Sequence, residues 1–419
     1  MANVLDILQE RGLMEGGTSI EETRQALAQP TAIYCGFDPT ADSLHLGSLV
    51  PLIGLKWFEK SGHRPIAIVG GATGMIGDPS GKAKERQLLD EKTISSNLAG
   101  IQKNIEKFLD SPLILNNIDW FRHFSCISFL RDVGKMFRMG PMLSKESVRV
   151  RLESEDGMSF TEFCYQLLQG YDFLYLFEKY GVSLQLGGSD QWGNIVSGIE
   201  LIRKMHGKPA FGVTFPLLTK SDGQKFGKSE QGTIWLSPEK LSPYGFYQYL
   251  VRIADADVIK LMKMITFLEM EEIHYWEKTM QSEEYTPTHA QKRLAEEVTR
   301  LVHGPDGLLA ALRATEGLAP GGVAALDASA FVRFGEEVPK QKLHFTQVLG
   351  ASLVDLLVLT RLLPSKSEAR RWIRNGGVYL NNEKITNEHT VFSNTYLIGG
   401  QWTLLAIGKK NKLVLEFIK

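Results

Sequence analysis

The sequence predicts an α/β protein in which a Rossmann-like, doubly wound parallel sheet is followed by an all-helical domain and a small α+β domain. Three observations lead to this prediction. Short apolar runs alternate with helical patterns in the first part of the chain, the pattern from about Ser242 to Gly317 is helical throughout, and short strands and helices end the chain. Strands that alternate with helices are typical of parallel βαβ units.

The first part of the chain supplies the elements of the sheet. A helix is predicted over Leu49 to Lys60 and another after Asp190. The apolar runs that predict strands are Ile33 to Phe37, Pro65 to Gly71, Ser183 to Leu186 and Val213 to Thr219. Ligands bind beyond the carboxyl ends of strands in such sheets. The residues after Phe37, Gly71 and Leu186 are therefore the first candidates for a site.

Composition shifts predict the domain boundaries. We expect the Rossmann-like domain at 1–230, interrupted at about 120–158 by an insertion rich in Met, Arg and Phe. This insertion is interpreted as a subunit interface, and an ordinary helical excursion is the alternative. The helical domain is expected at 231–325, a Gly/Ala/Pro-rich linker at 326–345, and the last domain at 346–419.

The last domain is predicted to hold two helices and three strands. The helices are Leu353 to Leu359 and Lys366 to Asn375, and the strands are Val378 to Leu380, Thr403 to Ala406 and Leu413 to Phe417. From Lys340 to Lys419 there are twelve Lys and Arg against five Asp and Glu, whereas the rest of the chain is acidic. A basic module on an acidic body indicates a polyanionic partner, and a merely solvated basic surface is the alternative.

Composition also excludes some classes of protein. The 419 residues are ordinary for a globular chain, and no apolar stretch approaches the roughly 20 residues of a membrane span. The acidic N-terminus, Met1 to Gly12, lacks the pattern of a secretory signal. Cys35, Cys126 and Cys164 are too far apart for a disulfide framework or a zinc site. We therefore expect no membrane association, no dedicated metal site and a reducing cytoplasm.

Two short motifs suit a nucleoside triphosphate. His45-Leu46-Gly47-Ser48 opens a predicted helix, and Lys225-Phe226-Gly227-Lys228-Ser229 lies in a polar loop about 180 residues later. A helix N-terminus presents unpaired amides and a partial positive charge, both of which attract phosphate. Thr40 and His45 are candidate donors to the phosphates. A histidine that merely caps the helix is the alternative, and the two lysines of the later loop argue against it.

A glycine-rich run follows the second predicted strand. Gly70 to Gly77 is neither a dinucleotide fingerprint nor a P-loop, so we interpret its glycines as permitting the close approach of a ligand. Asp78 is a candidate partner for an ammonium group. Lys82 and Arg86 share a helical face or one side of a loop, and a solvated charge face is the alternative.

A third candidate group lies on a predicted helix that begins after Ser159. Ser159 and Glu162 have the spacing of a capping box. Tyr165, Gln169 and Asp172 then form one polar stripe on an otherwise apolar helix. If the stripe faces inward, these side chains require partners and suit a zwitterion with a polar side chain. A stripe turned to solvent is the alternative, although Gly170 indicates that something approaches the helix closely.

The fourth candidate group, Gly187 to Asn194, follows the third strand. Asp190 is placed to accept from a ribose diol, and Gly188 permits close approach of the sugar. Alone the motif is weak, but its position at a strand end supports a binding role.

Together these motifs resemble the bacterial-type tyrosyl-tRNA synthetases, which are class I aminoacyl-tRNA synthetases, over essentially the whole chain. The segments that carry the resemblance are Tyr34 to Thr40, the two motifs His45 to Ser48 and Lys225 to Ser229, Ser159 to Phe163 and Leu186 to Asn194. Two motif positions depart from the common pattern. Ser48 stands where His or Asn is usual, and Phe226-Gly227 replaces Met-Ser.

The resemblance implies a role for each group. Tyr34 and Asp172 would bracket the phenol of L-tyrosine. Asp78, Tyr165 and Gln169 would hold its ammonium group, and Gln191 would lie near its carboxylate. The residues implied for the adenosine and ribose of ATP are Cys35, Gly36, Asp38, Gly188 and Asp190, and Gly47, Ser48 and Lys228 are implied to bind ATP as well. Those implied for the phosphates during catalysis are Thr40, His45, Lys82, Arg86, Lys225, Lys228 and Ser229. Mg²⁺ would arrive with ATP.

The resemblance also implies partners. Ser365 to Ile385 resembles the S-four-like RNA-binding module, in which Arg370, Arg371, Arg374 and Lys384 would contact phosphates of tRNA-Tyr. A homodimer through the insertion is implied as well. The alternatives are the related tryptophan enzyme and an RNA-binding paralogue without catalysis. Tyr34 and Asp172 argue against the first, and the retained His45 and lysine motif argue against the second.

Overall fold

The computed structural model describes residues 3–81, 88–221, 223, 226–229, 232–321, 326, 328, 331, 338–408 and 411–418, with Lys228 and Ser229 described as backbone only. Two compact units are formed, Met1–Leu241 with Leu250–Val302, and Ser242–Tyr249 with His303–Lys419. Lys82, Arg86 and Lys225, which the sequence assigns to the phosphates, lie outside the described residues. No helix in the described part of the chain combines the length and apolarity needed to span a bilayer.

The strands, in chain order, are β1 Gly16–Gly17, β2 Ala32–Phe37, β3 Arg64–Val69, β4 Leu113–Asn116, β5 Val182–Gly188, β6 Phe211–Phe215, β7 Lys228–Ser229, β8 Gly232–Thr233, β9 Lys340–His344, β10 Val378–Leu380, β11 Glu383–Ile385, β12 Trp402–Ile407 and β13 Asn411–Ile418.

The helices, in chain order, are α1 Val4–Glu10, α2 Ile20–Ala26, α3 Leu49–Lys60, α4 Thr73–Ile76, α5 Glu91–Phe108, α6 Ile118–Phe121, α7 Cys126–Asp132, α8 Met139–Leu143, α9 Glu146–Leu152, α10 Phe160–Tyr180, α11 Trp192–His206, α12 Pro243–Val251, α13 Asp255–Ile265, α14 Met270–Thr279, α15 His289–Gly317, α16 Leu353–Leu359 and α17 Lys366–Arg374.

The first unit is built on a six-stranded sheet of order β1-β6-β5-β2-β3-β4. All neighbours are parallel except β1, which pairs antiparallel with β6. From β2 the chain proceeds to β3 and β4 on one side, whereas β5 and β6 lie on the other. The point of reversal therefore lies at β2, and the carboxyl ends of β2, β3 and β5 meet there. The predicted α/β fold class is confirmed.

Some of the observed strands differ from the predicted ones. The last predicted strand of the sheet ends at Phe215 because Pro216 follows, and proline cannot donate to a ladder. Strand β4 lies between Pro112 and Asn117 and was not predicted. Its four residues are too few for a periodic pattern.

Helices α10 and α11 pack closely on one face of the sheet. A Cβ added to Gly198 of α11 would lie 2.8 Å from Cβ of Phe173, and one added to Gly170 would lie 3.1 Å from Cζ of Phe137. The close approach predicted at Gly170 is thus made by the insertion and by α11. Phe173 is fully buried and packs with Tyr34 of β2. The packing fixes α10 against the strand that carries Tyr34.

The insertion docks on the start of α10 through a buried ion pair. Arg151, at 1% exposure, donates to both carboxylate oxygens of Glu162 at 2.6 and 2.8 Å. Ser159 caps α10 as predicted, accepting from Glu162 N–H at 3.2 Å. Replacing only one of the two residues is expected to destabilise the fold strongly, because an uncompensated charge would remain buried.

The second unit contains a five-stranded sheet of order β11-β10-β12-β13-β9. Strand β9, at residues 340–344, lies in the stretch that composition assigned to the linker. Its Lys-Gln-Lys sequence is polar because it forms the sheet edge, parallel to β13. Leu318, Phe331 and Val338 are also buried, in a core shared with Trp402. Helix α15 breaks at Gly304, whose φ of 74° is not helical.

Candidate functional site

The two phosphate motifs are joined by backbone hydrogen bonds. Leu46 N–H donates to the carbonyl of Ile234 at 2.8 Å, and Ile234 N–H donates to the carbonyl of Gly227 at 2.9 Å. A Cβ on Gly227 would lie 3.3 Å from Cβ of Leu46. The second motif, whose Lys228 and Ser229 form β7, therefore lies directly on the first.

His45 precedes a short 3-10 turn that leads into α3. Its backbone carbonyl accepts from Ser48 N–H at 2.8 Å, and its exposed ring lies over Gly47. Ser48 occupies the N-cap of α3, where its side chain makes no capping hydrogen bond with the described residues. Thr40 is exposed nearby in sequence. These groups stand at a helix start whose first amides need acceptors, as a phosphate would provide.

Tyr165 and Asp38 come together from α10 and the end of β2. The Tyr165 hydroxyl donates to Oδ2 of Asp38 at 2.7 Å, and the Thr73 hydroxyl donates to Oδ1 of the same carboxylate at 2.8 Å. Burial raises the pKa of the Tyr165 phenol well above its ordinary value, and the charges of Asp38 and Asp78 add to this. Tyr165 is therefore a neutral phenol held in one orientation.

Asp172 is held by two side chains that the sequence did not single out. Asn117 Nδ2 donates to Oδ2 at 3.0 Å, and Trp120 Nε1 donates to Oδ1 at 2.9 Å. The Asn117 amide also lies 3.0 Å from the Thr73 hydroxyl oxygen, to which it donates. A continuous chain of hydrogen bonds thus runs from Trp120 through Asp172, Asn117, Thr73 and Asp38 to Tyr165, and we call it the floor network.

Burial raises the pKa of Asp172 to about 8, although the hydrogen bonds from Asn117 and Trp120 lower it. Since the unfolded chain ionises near pH 3.8, the folded state holds the extra proton between about pH 4 and 8. We expect the wild-type free energy of unfolding, relative to Asp172→Asn, to fall as pH rises through this window. The slope is at most about 1.4 kcal/mol per pH unit. Urea unfolding of both proteins from pH 5 to 8 measures it, and parallel curves would contradict the expectation.

Three buried polar atoms near the floor network have no hydrogen-bond partner among the described residues: Tyr34 hydroxyl, Gln169 Oε1 and Gln185 Oε1. Tyr34 and Gln185 are register partners on β2 and β5, so both side chains project from the same face. An unpaired buried polar group costs about 1–3 kcal/mol. Such groups in one place indicate a polar ligand. Burial raises the pKa of Tyr34 well above its ordinary value, as does the charge of Asp172.

Asp78 forms a second polar group with residues that follow β5. Its Oδ2 accepts from Gln191 Nε2 at 2.7 Å, and its Oδ1 accepts from Asn194 Nδ2 at 3.3 Å and from Ser80 N–H at 3.0 Å. The structure thus brings together Asp78 and Gln191, which the family resemblance assigns to the two ends of an α-amino acid. Asn194 is a further member of this group, which the sequence marked only as the end of a glycine loop.

The interpretation of the glycine-rich run needs correction. A Cβ on Gly70 would lie 2.1 Å from Oδ1 of Asp38, and one on Gly71 would lie 2.2 Å from Oδ1 of Asn116. The close approach at these two glycines is therefore made by side chains of the protein and not by a ligand. Gly188 is similar, since its Cβ would lie 2.5 Å from Oδ1 of Asp190. These three glycines shape the site by admitting the side chains of Asp38, Asn116 and Asp190.

The residues assigned to adenosine lie around the end of β2. Cys35 is a buried free thiol whose pKa is raised to about 12 by burial, whereas Gly36 is exposed. The described part of the site is rich in carboxylates, namely Asp38, Asp78, Asp172 and Asp190. It suits an ammonium and hydroxyl groups, and the cations that the sequence assigns to the phosphates are not among the described side chains.

The residues assigned to RNA lie on α17 and β11 of the second unit. Arg370, Arg371, Arg374 and Lys384 are all exposed. Arg374 pairs with Glu388 at 3.1 Å and Arg371 with Glu368 at 3.6 Å. Exposed ion pairs of this kind contribute little stability, roughly 0–1 kcal/mol each.

Three residues of the site were not identified from the sequence, two of them because the strand before them was not predicted. Asn117 and Trp120 come directly after β4, and the run Leu113-Ile114-Leu115 before them was the available signal. Gln185 lies inside a predicted strand, where a polar residue between leucines was a signal of a specific partner.

Two family models and several known proteins match this chain. The family described as class I tRNA synthetases for tryptophan and tyrosine matches residues 26–318, and a tyrosine–tRNA ligase C-terminal domain matches residues 332–415. A tyrosine–tRNA ligase of Protochlamydia amoebophila is 61% identical, with 100% of each chain covered. One of Salmonella enteritidis is 49% identical, with 98% of each chain covered.

A solved structure of a tyrosyl-tRNA synthetase also matches this chain. The C-terminally truncated mitochondrial tyrosyl-tRNA synthetase of Coccidioides posadasii is 31% identical, with a TM-score of 0.65 over 74% of this chain and 91% of that one. Relatives that match both the catalytic and the C-terminal regions confirm the family resemblance noted in the sequence. The chain therefore belongs to the tyrosine–tRNA ligase family of class I aminoacyl-tRNA synthetases.

Proposed function

We propose that this chain activates L-tyrosine with ATP, releasing pyrophosphate, and transfers the tyrosyl group to tRNA-Tyr. Family membership makes the chain an aminoacyl-tRNA ligase. The observation that carries the choice of tyrosine is the buried Tyr34 hydroxyl, unpartnered among the described residues, on the strand packed against Phe173. Asp172, which directly precedes Phe173, supplies a buried carboxyl group. A substrate hydroxyl both donates and accepts, and this pair offers complementary groups.

The related substrate tryptophan fits this pair less well. An indole N–H donates but does not accept, so it would satisfy Asp172 and leave the Tyr34 hydroxyl without a second partner. Phenylalanine satisfies neither group. The hydrogen-bonding groups therefore favour tyrosine over both.

The α-amino acid end of tyrosine is assigned to the polar residues nearer the strand ends. Asp78, Tyr165 and Gln169 would hold the ammonium, and Gln191 would lie near the carboxylate. The hydrogen bonds among Asp78, Gln191 and the neighbouring Asn194 support this, because they fix the acceptors before substrate arrives. Such preorganisation places the substrate carboxylate for attack.

In the activation step, the carboxylate oxygen of tyrosine attacks the α-phosphorus of ATP, and pyrophosphate leaves with the electrons of the broken P–O bond. MgATP is the substrate, since Mg²⁺ usually keeps phosphate and water ligands. Donors that meet the developing charge lower the barrier. The residues proposed for this role are Thr40, His45, Gly47, Ser48, Lys82, Arg86, Lys225, Lys228 and Ser229.

The nucleoside is proposed to bind across the ends of β2 and β5. Cys35 and Gly36 would face the adenosine, and Gly188 and Asp190 the ribose hydroxyls. Asp38 would stand between nucleoside and amino acid, because its carboxylate already accepts from Tyr165 and Thr73. It thereby connects the two substrate sites.

The second unit is proposed to bind tRNA-Tyr. Arg370, Arg371 and Arg374 are exposed on one short helix with Lys384 nearby in sequence, and cations of this kind contact phosphates. We propose a catalytic domain at 1–230, a helical domain at 231–325 and an RNA-binding domain at 346–419, whose sheet is extended by strand β9 at 340–344. A cytoplasmic location is proposed from the free cysteines.

A homodimer is proposed through the insertion. Large apolar side chains are exposed there, including Ile127 at 73% and Met139 at 58%. Patches of this kind mark interaction surfaces. We expect Ile127→Asp to shift the protein towards monomer in sedimentation velocity, whereas Leu349→Asp, an equally drastic change at an exposed position of the tail, leaves it unchanged. A wild-type monomer at micromolar concentration would contradict the proposal.

The activity is tested by ATP–pyrophosphate exchange with tyrosine, phenylalanine and tryptophan in parallel, followed by tyrosylation of tRNA-Tyr. Exchange that depends on tyrosine alone is expected. The absence of exchange from a folded protein would refute the function and leave the non-catalytic paralogue as the explanation. Exchange with tryptophan in preference to tyrosine would instead favour the related enzyme.

A further inference from the structure

The backbone that leads into the lysine motif is held by helix α13. Asp257 Oδ1 accepts from Ser221 N–H at 2.8 Å, and Oδ2 accepts from the Ser221 hydroxyl at 3.4 Å. One helical turn later, Lys260 Nζ donates to the carbonyl of Thr219 at 3.3 Å. Ser221 lies four residues before Lys225 of the motif.

Asp257 is itself firmly placed. Its side chain is 5% exposed, and Val258 and Leu261 on the same helix are fully buried. At the other end of α13, Arg11 donates to the carbonyls of Lys263 and Thr266 at 3.4 and 3.2 Å. The Arg11 guanidinium also lies 4.5 Å from the centroid of the Trp57 ring. Helix α13 is therefore fixed at both ends within the first unit.

Residues within the motif are fixed as well. Phe226 N–H donates to the carbonyl of Leu218 at 2.9 Å, and Gly227 contacts Leu46 of the first motif. The chain thus enters the lysine motif at Ser221, which α13 holds, and leaves it against the start of α3.

The hydrogen bonds of the Asp257 carboxylate are unusual for a residue in the first turn of a helix. Asp257 is the third residue of α13, where an acidic side chain ordinarily favours the amides and the dipole of its own helix. Both of its oxygens instead accept from a segment outside the helix. Asp255, in the same turn, accepts from the Gln291 amide and makes no hydrogen bond with the described residues of the motif segment, so it offers a matched comparison.

We propose that Asp257 is a positioning residue for the activation step, and this rests on the proposed function. It sets the point at which the chain enters the lysine motif, and thereby the position of the lysines relative to the phosphates. Groups that stabilise a transition state lose effect steeply when displaced, by about 10²-fold for 1 Å. A loop without this anchor would bind tyrosine normally and stabilise the departing pyrophosphate poorly.

The test compares Asp257→Ala, Asp257→Asn and Asp255→Ala in tyrosine-dependent pyrophosphate exchange at saturating MgATP. We expect Asp257→Ala to lower kcat by about tenfold or more, with KM for tyrosine changed less than about twofold. Asp257→Asn keeps an acceptor for the Ser221 amide, so its kcat should lie within about threefold of wild type. Asp255→Ala should match wild type in both constants.

Each outcome decides a separate question. If wild-type protein shows no exchange, the proposed function fails. If wild type is active and Asp257→Ala behaves as Asp255→Ala does, or if Asn at 257 is as impaired as Ala, the positioning role is refuted. Should Asp257→Ala not fold, Asp257→Glu replaces it, because it moves the carboxylate by one methylene and keeps the charge. The same loss of kcat at unchanged KM is then expected, and wild-type kinetics would refute the role.

Discussion

Asp172→Asn is expected to remove most of the preference for tyrosine over phenylalanine. Both oxygens of Asp172 accept hydrogen bonds, from Asn117 and Trp120, so an amide would set its NH₂ group against one of these donors. The carboxylate that meets the substrate hydroxyl is lost at the same time. Sites built to bind a hydroxyl reject the analogue without it by roughly 10⁴–10⁵-fold, and tyrosyl-tRNA synthetases are themselves the known example of this range.

The measurement is kcat/KM for tyrosine and for phenylalanine in pyrophosphate exchange. We expect the ratio to fall by about 10²-fold, mostly through a lower value for tyrosine, since a buried hydrogen-bonding group left without its partner costs about 1–3 kcal/mol. Glu178→Gln, which removes a charge from the exposed end of the same helix, serves as the control. A ratio equal to that of wild type would show that Asp172 does not read the hydroxyl.

Gly47→Ala is expected to lower kcat for activation by about 10²-fold, because displaced groups lose transition-state stabilisation steeply. The new Cβ would lie 2.9 Å from Cε1 and 3.1 Å from Nδ1 of His45, so the imidazole has to move. Tyrosine binding should be unaffected, since the first motif is assigned to the phosphates. The substitution therefore acts through its neighbour.

A double-mutant cycle checks this mechanism. If Gly47→Ala acts by displacing the His45 ring, it should cost little more once His45→Ala has removed the ring, so the two losses are not additive. Gly140→Ala is the control, because a Cβ there meets no atom within 4 Å. Fully additive losses would mean that Gly47 matters for another reason, such as backbone approach to the nucleotide.

Much of the fold was predictable because apolar periodicity marks buried elements. Strand β2 and helix α3 were found within one residue of their boundaries, since an apolar run and a helical stripe are each closed by polar residues. Strands β9 and β11 were missed because edge strands with polar sequences carry no such pattern. Strand β4 was missed because it is short, and with it the site residues Asn117 and Trp120.

Many residues of the candidate site could be predicted from the sequence, but the hydrogen bonds between them could not. The spacing of Tyr165, Gln169 and Asp172 gave one stripe, but periodicity alone does not say whether a stripe faces water. Burial of Tyr165 and Asp172 excludes the solvent-facing alternative. That Asp38 joins Tyr165 to Thr73 depends on residues more than 30 positions apart, which the sequence does not pair. The roles of these residues remain predictions for the experiments above.

The floor network has a consequence for how substrate choice can change. Each of its members satisfies the next, so replacing one residue leaves a neighbour with an unmet donor or acceptor. Selection for a different amino acid would therefore have to pass through single mutants of low activity. Changes at Asn117 or Trp120 would have to accompany any change at Asp172, and the order of mutation would matter. Accepting a new side chain is thus a problem of several linked substitutions and not of enlarging one pocket.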